Sequence, residues 1–199
     1  MADLAVMLIN KVRGRSTYAP LRGPDVSAPP AEAPRPPSPA PPLDARQTSI
    51  EERRMRTLEP STAEFVAGIL AWCRQNGIPA LLGETHRSMD EQQAKIRAGL
   101  SAVPEGQAGW HQYGRAFHLI IVDPRTRLLD EAAYRTVGAE VRRRGGEWLG
   151  DRELKTSRGK VVDLAHFEYH PGLHLSSYRG TALAAREMRR AEKMARRYG

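Results

Sequence analysis

The sequence predicts an α+β fold, a small central antiparallel sheet with helices packed against it. Three observations carry this expectation. Apolar residues recur at helical spacing in 62–75 and 130–145, RAFHLIIV at 115–122 is a continuous apolar run of strand character, and the helical stretches outnumber the strand-like ones without any internal repeat.

Taken along the chain, the first 18 residues, MADLAVMLINKVRGRSTY, form a separate N-terminal segment. An acidic residue stands where a secretory signal carries positive charge, and Asn10 and Lys11 break the apolar run. No stretch approaches the ~20 apolar residues of a membrane span. The expectation is a soluble protein made in the cytoplasm without its own export signal, with residues 1–18 as an attachment point. Between Ala19 and Asp44 fall 10 of the 15 prolines. Lacking amide donors and favouring extended backbone, residues 19–48 read as a semi-rigid linker.

Folded structure is expected from about Ser49. SIEE at 49–52 and STAE at 61–64 both have the hydroxyl-to-glutamate spacing of a capping box. After the second, Phe65, Val66, Ile69, Leu70, Trp72 and Cys73 mark the buried face of a helix that Asn76-Gly77 ends. As the only cysteine, Cys73 excludes a disulfide framework and a multi-cysteine zinc site, and is expected in the core. IPALL at 78–82 is a strand, SMDE at 88–91 opens a helix ending near Gly99, and 101–109 is a polar loop. The central strand 115–122 stops at Asp123-Pro124, the helix 130–145 is closed by glycines, and VVDLAHFEYH at 161–170 is the last strand. Residues 49–175 thus form the catalytic or binding domain, and 176–199 a basic C-terminal helix.

The formal charge of +8 suits a polyanionic partner: nucleic acid, an anionic membrane or an acidic wall polymer. The basic groups of the last helix, Arg186, Arg189, Arg190, Lys193, Arg196 and Arg197, match no nucleic-acid motif, and such a run is ordinarily a solvated helix face.

Chemistry concentrates elsewhere. All six histidines, at 86, 111, 118, 166, 170 and 174, lie in less than half the chain. His118 sits inside an apolar strand, where an unpartnered ring would cost roughly 1–3 kcal/mol, so it needs a partner. A second segment, DLAHFE at 163–168, sets Asp163 three residues before His166. A hydrolytic zinc needs three nitrogen or oxygen ligands, an open fourth position and a nearby carboxylate base.

These motifs resemble those of the zinc peptidases that include D-alanyl-D-alanine carboxypeptidases, vancomycin-resistance dipeptidases and phage L-alanyl-D-glutamate endolysins. GWHQYGRAFH resembles their Ser-x-His-x-x-Gly-x-Ala-x-Asp signature through His111, Gly114 and Ala116, and DLAHFE their second signature through Asp163 and His166. GETHRSMDEQQ is similar to their Gly-Tyr-Arg-Ser segment and following helix through Arg87 and Gln92, and GGEWLGD at 145–151 to their Gly-Leu-Glu-Trp-Gly-Gly stretch. The resemblance covers about residues 60–172. This chain departs from it in having His118 for the metal-ligating aspartate, Gly109 for the first serine and His86 for the tyrosine.

The resemblance implies a Hedgehog/DD-peptidase-like fold and zinc (Zn2+) on His111, His118 and His166. It implies Asp163 as general base and acid, Arg87 as a clamp for a substrate carboxylate or oxyanion, and peptidoglycan stem peptides as substrate. His118 can replace aspartate because its Nδ1 lies about as far from the backbone as a carboxylate oxygen. Reaching the wall without an export signal implies delivery by a phage or injection particle. A catalytically inactive wall-binding or particle-structural protein on the same scaffold is the alternative. Glu168 is open to a role orienting a ligand or to a plain salt bridge, and His86 to the cleft wall or an extra ligand. His170 and His174 are expected at the surface, and Trp110 and Trp148 in the cleft or core.

Overall fold

The computed structural model describes residues 42–123, 125–156 and 159–198. The expectations for residues 1–18 and for all but the last residues of the proline-rich linker lie outside these.

Helix α1 (Ala45–Thr57) begins earlier than SIEE suggests, because Asp44 caps it: its carboxylate accepts from the Gln47 amide at 2.7 Å while the Gln47 side chain accepts from the Asp44 amide. Helix α2 (Pro60–Gln75) likewise starts before STAE. Glu59 accepts from the amides of Ser61 and Thr62, and Pro60 takes the first turn, where no amide donor is needed. The capping box at Ser88 and Glu91 does form, opening α3 (Met89–Arg97).

A four-stranded sheet runs in the order β1 (Ala80–Leu82), β2 (Ala116–Ile121), β6 (His166–Glu168), β3 (Glu147–Trp148), with every neighbour antiparallel. The expected last strand is divided: β5 (Gly159–Val161) pairs with β4 (Leu154–Thr156) in a separate hairpin, and a turn at 163–165 precedes β6. Asp163 therefore sits on a turn rather than within a strand.

Side chains alternate across a strand, and the two faces of the sheet divide the work. Phe117, Leu119, Ile121, Trp148 and Phe167 turn to one face and are buried with Val66, Ile69, Leu70 and Cys73 of α2 and Tyr134, Val137 and Val141 of α4 (Glu131–Arg143). Burial raises the Cys73 thiol to about 12. Trp148 is a core residue, its indole donating to the Leu164 carbonyl at 2.8 Å. The opposite face carries Ala116, His118, Glu147, His166 and Glu168. Ala116 there joins a second buried cluster with Trp110, Tyr113, Tyr178 and Ala184.

That second cluster brings in α5 (Leu175–Tyr178) and α6 (Ala182–Tyr198). Arg186, Arg189, Lys193, Arg196 and Arg197 of α6 are exposed, as a solvated basic face requires, while its opposite face is held by a buried ion pair. Arg115 donates to both oxygens of Glu187 at 2.9 and 2.8 Å, Tyr178 donates to the same carboxylate, and Glu59 lies 3.7 Å from the guanidinium. Arg190 also donates to the Leu58 carbonyl at 2.5 Å. No helix among the described residues is long and apolar enough to cross a membrane.

Replacing Glu187 by alanine strands the buried Arg115. The loss of a partner in a buried pair costs about 3–5 kcal/mol, and Glu59 should hold it near about 3 kcal/mol. Urea denaturation of Glu187→Ala against the parent chain measures this, and an unchanged midpoint would show that the pair does not anchor α6.

Candidate metal centre

Three backbone features bring the site together. Antiparallel pairing sets His118 directly opposite His166, and opposed residues on one face have Cβ atoms about 4.5–5.5 Å apart. His111 arrives on a 3-10 turn (Trp110–Tyr113) that ends at Gly114, where φ is +70°. A Cβ at Gly114 would also lie 2.8 Å from the Thr57 carbonyl oxygen and the Glu59 amide, so both conformation and space require glycine. Third, the segment after β1 runs on beside His118, with Gly83 donating to the His118 carbonyl and the His118 amide donating to the Glu84 carbonyl, both at 2.7 Å. This puts the Glu84 and Thr85 groups against the rings.

The three ring centroids lie 5.0, 5.0 and 5.2 Å apart. Each ring turns one nitrogen outward. His111 Nδ1 is 2.6 Å from the Thr85 carbonyl oxygen, His166 Nε2 is 2.9 Å from Glu168 Oε1, and His118 Nδ1 is 3.5 Å from Glu84 Oε2. Carbonyl and carboxylate oxygens only accept, so His111 Nδ1 and His166 Nε2 carry their hydrogens. His118 makes no hydrogen bond to Glu84; its Nε2 donates to His166 Nδ1, and a metal ion taking that hydrogen's place would meet lone pairs on the inward nitrogens, His111 Nε2, His118 Nε2 and His166 Nδ1.

Those nitrogens face one another. His118 Nε2 and His166 Nδ1 are 3.1 Å apart, and His111 Nε2 is buried with no hydrogen-bond partner. All three inward atoms lie within 4.8 Å of one another, close enough to hold a metal ion. Two nitrogens bound to one tetrahedral zinc at 2.0–2.1 Å stand about 3.3 Å apart, so the donor set fits such an ion.

Burial disfavours protonation of two of the rings, His111 and His118. Burial drives His111 well below the ordinary imidazole range, helped by the charge of Arg87 and the two neighbouring rings. Burial brings His118 down to about 4, against the opposing pull of Asp163. Burial alone would raise the Glu84 carboxyl, but the hydrogen bonds from Arg87 and its charge hold it far below the usual carboxylate range.

The sequence-derived candidates converge here. Asp163 Oδ2 lies 3.8 Å from His118 Nε2, at the edge of the trio. Arg87 is buried beside it, with its Nε and one Nη on the two Glu84 oxygens at 2.9 and 2.5 Å and the other Nη on Gln92 Oε1 at 2.9 Å. Three of its five N–H groups are thereby engaged. His86 is not one of the converging group; its Nε2 is buried without a partner, and burial lowers its pKa below the ordinary value.

His170 is not a surface residue. Its Nε2 is 3.1 Å from Glu168 Oε2 and 3.4 Å from Glu147 Oε1, and its ring stacks on Trp110 at 4.3 Å. Burial opposes protonation of His170, but the Glu168 and Glu147 carboxylates outweigh it and raise its pKa. Trp110, His170, His174, Glu147 and Arg152 line a groove of about 400 Å³ that adjoins the trio through Glu168.

Glu84, Thr85 and Glu147 were not singled out by sequence reasoning. The acid three residues before Arg87 was the one available signal for Glu84; the Thr85 contribution is a backbone carbonyl, which no side-chain pattern reveals.

A search of family models found no match, and a search of curated proteins found none either. Among solved structures, the Serratia marcescens L-Ala D-Glu endopeptidase ChiX matches with a TM-score of 0.48 and 24% identity, over 64% of this chain and 89% of that one. A likeness of that size leaves the assignment to the geometry of the site itself.

His118 binds a proton less readily when folded, at about 4, than when unfolded, near 6.5. The unfolded chain therefore takes up more protons across that window, and stability present above pH 6.5 is lost as pH falls toward 4. His111 and His86 shift in the same direction and His170 in the opposite one. Urea midpoints of the metal-free protein should fall through this window, with about 1.4 kcal/mol per pH unit from one such ring. The slope should flatten in His118→Asn.

Proposed function

We propose that the chain is a zinc-dependent peptidase that hydrolyses amide bonds of peptidoglycan stem peptides, of the L-alanyl-D-glutamate endopeptidase or D,D-carboxypeptidase type. The observation that carries the hydrolytic part is the convergence of three imidazole nitrogens beside the carboxylate of Asp163. The choice of polymer rests on the motif resemblance across residues 60–172.

His111, His118 and His166 would hold the ion, and three protein ligands leave the fourth position open. Zinc would supply Lewis acidity there for a water and a substrate carbonyl. Asp163 would accept a proton from the attacking water and return it to the departing amine. Arg87, held rigidly by Glu84 and Gln92, keeps two N–H groups for a substrate carboxylate or the developing oxyanion. The groove beyond Glu168 gives the rest of the peptide room to lie.

In this proposal His118 changes the ligand charge without isolating the metal from negative charge. Three imidazoles bring no negative charge, but Glu84, Asp163 and Glu168 each contact one of their rings. These carboxylates take over the compensation that an aspartate ligand would give directly. Residues 1–18 and the proline-rich segment tether the peptidase to the phage or injection particle that brings it to the wall.

Purified protein should carry zinc by elemental analysis and release muropeptides from isolated cell walls. Asp163→Ala should keep the zinc and lose about 10²- to 10⁴-fold in release rate. Equal release by both proteins would refute the role of Asp163. Zinc-free protein that sediments with walls without cutting them would favour the non-catalytic alternative.

A further inference from the structure

We propose that Glu168 and His170 are positioning residues of the metal site, acting through His166. The inference rests on the metal site described above and extends it to residues that touch no ligand atom on the inner side.

Glu168 follows His166 by two residues on β6, so alternation brings both side chains to the same face. One of its oxygens accepts from His166 Nε2 at 2.9 Å, which fixes the ring plane and leaves Nδ1 as the free donor. The other oxygen accepts from His170 Nε2 at 3.1 Å. A carboxylate with a single such contact could swing about its last torsion; one gripped from both sides cannot.

His170 is itself held at three points. Its Nδ1 donates to the Leu173 carbonyl at 3.1 Å, its Nε2 donates into the Glu168 and Glu147 carboxylates, and its ring lies nearly parallel on Trp110, at 12°. Trp110 precedes His111 in the 3-10 turn. A closed ring of contacts thus runs from the backbone of one metal-ligating residue to the side chain of another: His111, Trp110, His170, Glu168, His166. Two of the three imidazoles are aligned by one brace that spans segments over 50 residues apart in sequence.

Glu147, Glu168 and His170 are also close enough to share a cation. His170 Nδ1 is committed to a carbonyl, so a neutral ring would aim its Nε2 lone pair at two carboxylates. A hydrogen on Nε2 resolves that conflict and stands where a second ion would bind. Among the described residues this leaves one metal site, with this group as its brace.

The test uses full-length protein, with zinc affinity measured by competition with a chromogenic chelator and the His166 ring followed by nitrogen NMR in the metal-free state. Glu168→Ala should weaken zinc binding by about 10- to 100-fold and remove the Nε2–H signal of His166. Glu168→Gln, which keeps an acceptor oxygen for His166, should recover most of the affinity. His170→Ala should weaken zinc although it contacts no ligand, and the parent chain should bind one equivalent.

Parent-like zinc affinity with an unchanged His166 signal in Glu168→Ala would overturn the inference. So would a second equivalent that disappears in Glu147→Gln. If Glu168→Ala fails to fold, Glu168→Gln and His170→Ala still decide. A parent chain that binds no zinc would sink the proposed function, while the His166 ring signal would still report on the brace.

Discussion

Two ring nitrogens 3.1 Å apart can share a hydrogen or, with the buried His111 Nε2 beside them, a cation. The rest of the molecule can be understood as the means of holding them there. Strand register puts His118 and His166 opposite each other, and the alternation that buries Phe117 and Phe167 on one face presents both imidazoles on the other. A one-residue slip in either strand would bury the histidines in the core and expose the phenylalanines, so the hydrophobic core itself enforces the geometry of the site.

Around this pair the outward hydrogen bonds matter as much as the inward convergence. Thr85 and Glu168 come from two different segments and fix the tautomers of His111 and His166, while Glu84 lies 3.5 Å from the His118 ring. The arrangement explains how histidine can stand at position 118, where the resembling peptidases have aspartate. A carboxylate ligand brings its own negative charge, whereas an imidazole needs one nearby, and Glu84 stands 3.5 Å from the His118 ring, its same oxygen shared with Arg87.

Much of this was legible from the residues alone, because the strongest signals are local. Helical spacing located α2 and α4, the apolar run located β2, and the histidine and aspartate spacing in two segments identified the members of the trio. What escaped was set by longer-range physics. The starts of α1 and α2 moved because acidic residues, Asp44 and Glu59, capped them in place of the serines. The segment 161–170 broke in two because its first part pairs with β4 and not with the sheet. His170 reads as a turn residue next to Pro171-Gly172, and only the fold reveals that two carboxylates and an indole enclose it. The basic face of α6 is solvated, but the anchor on its other face escaped because the partner of Glu187, Arg115, lies 72 positions away.

The turn at Gly114 is fastened to the junction of α1 and α2, and the residue after it is clamped by α6. The trio is thus incomplete until the segment that carries His166 has been made. His111 and His118 leave the exit tunnel well before His166, and the strand that carries His166 has to pair before the three rings stand together. Under the proposed function, capture of an ion would follow that pairing, and a nascent chain stalled short of the strand would have no such centre to fill.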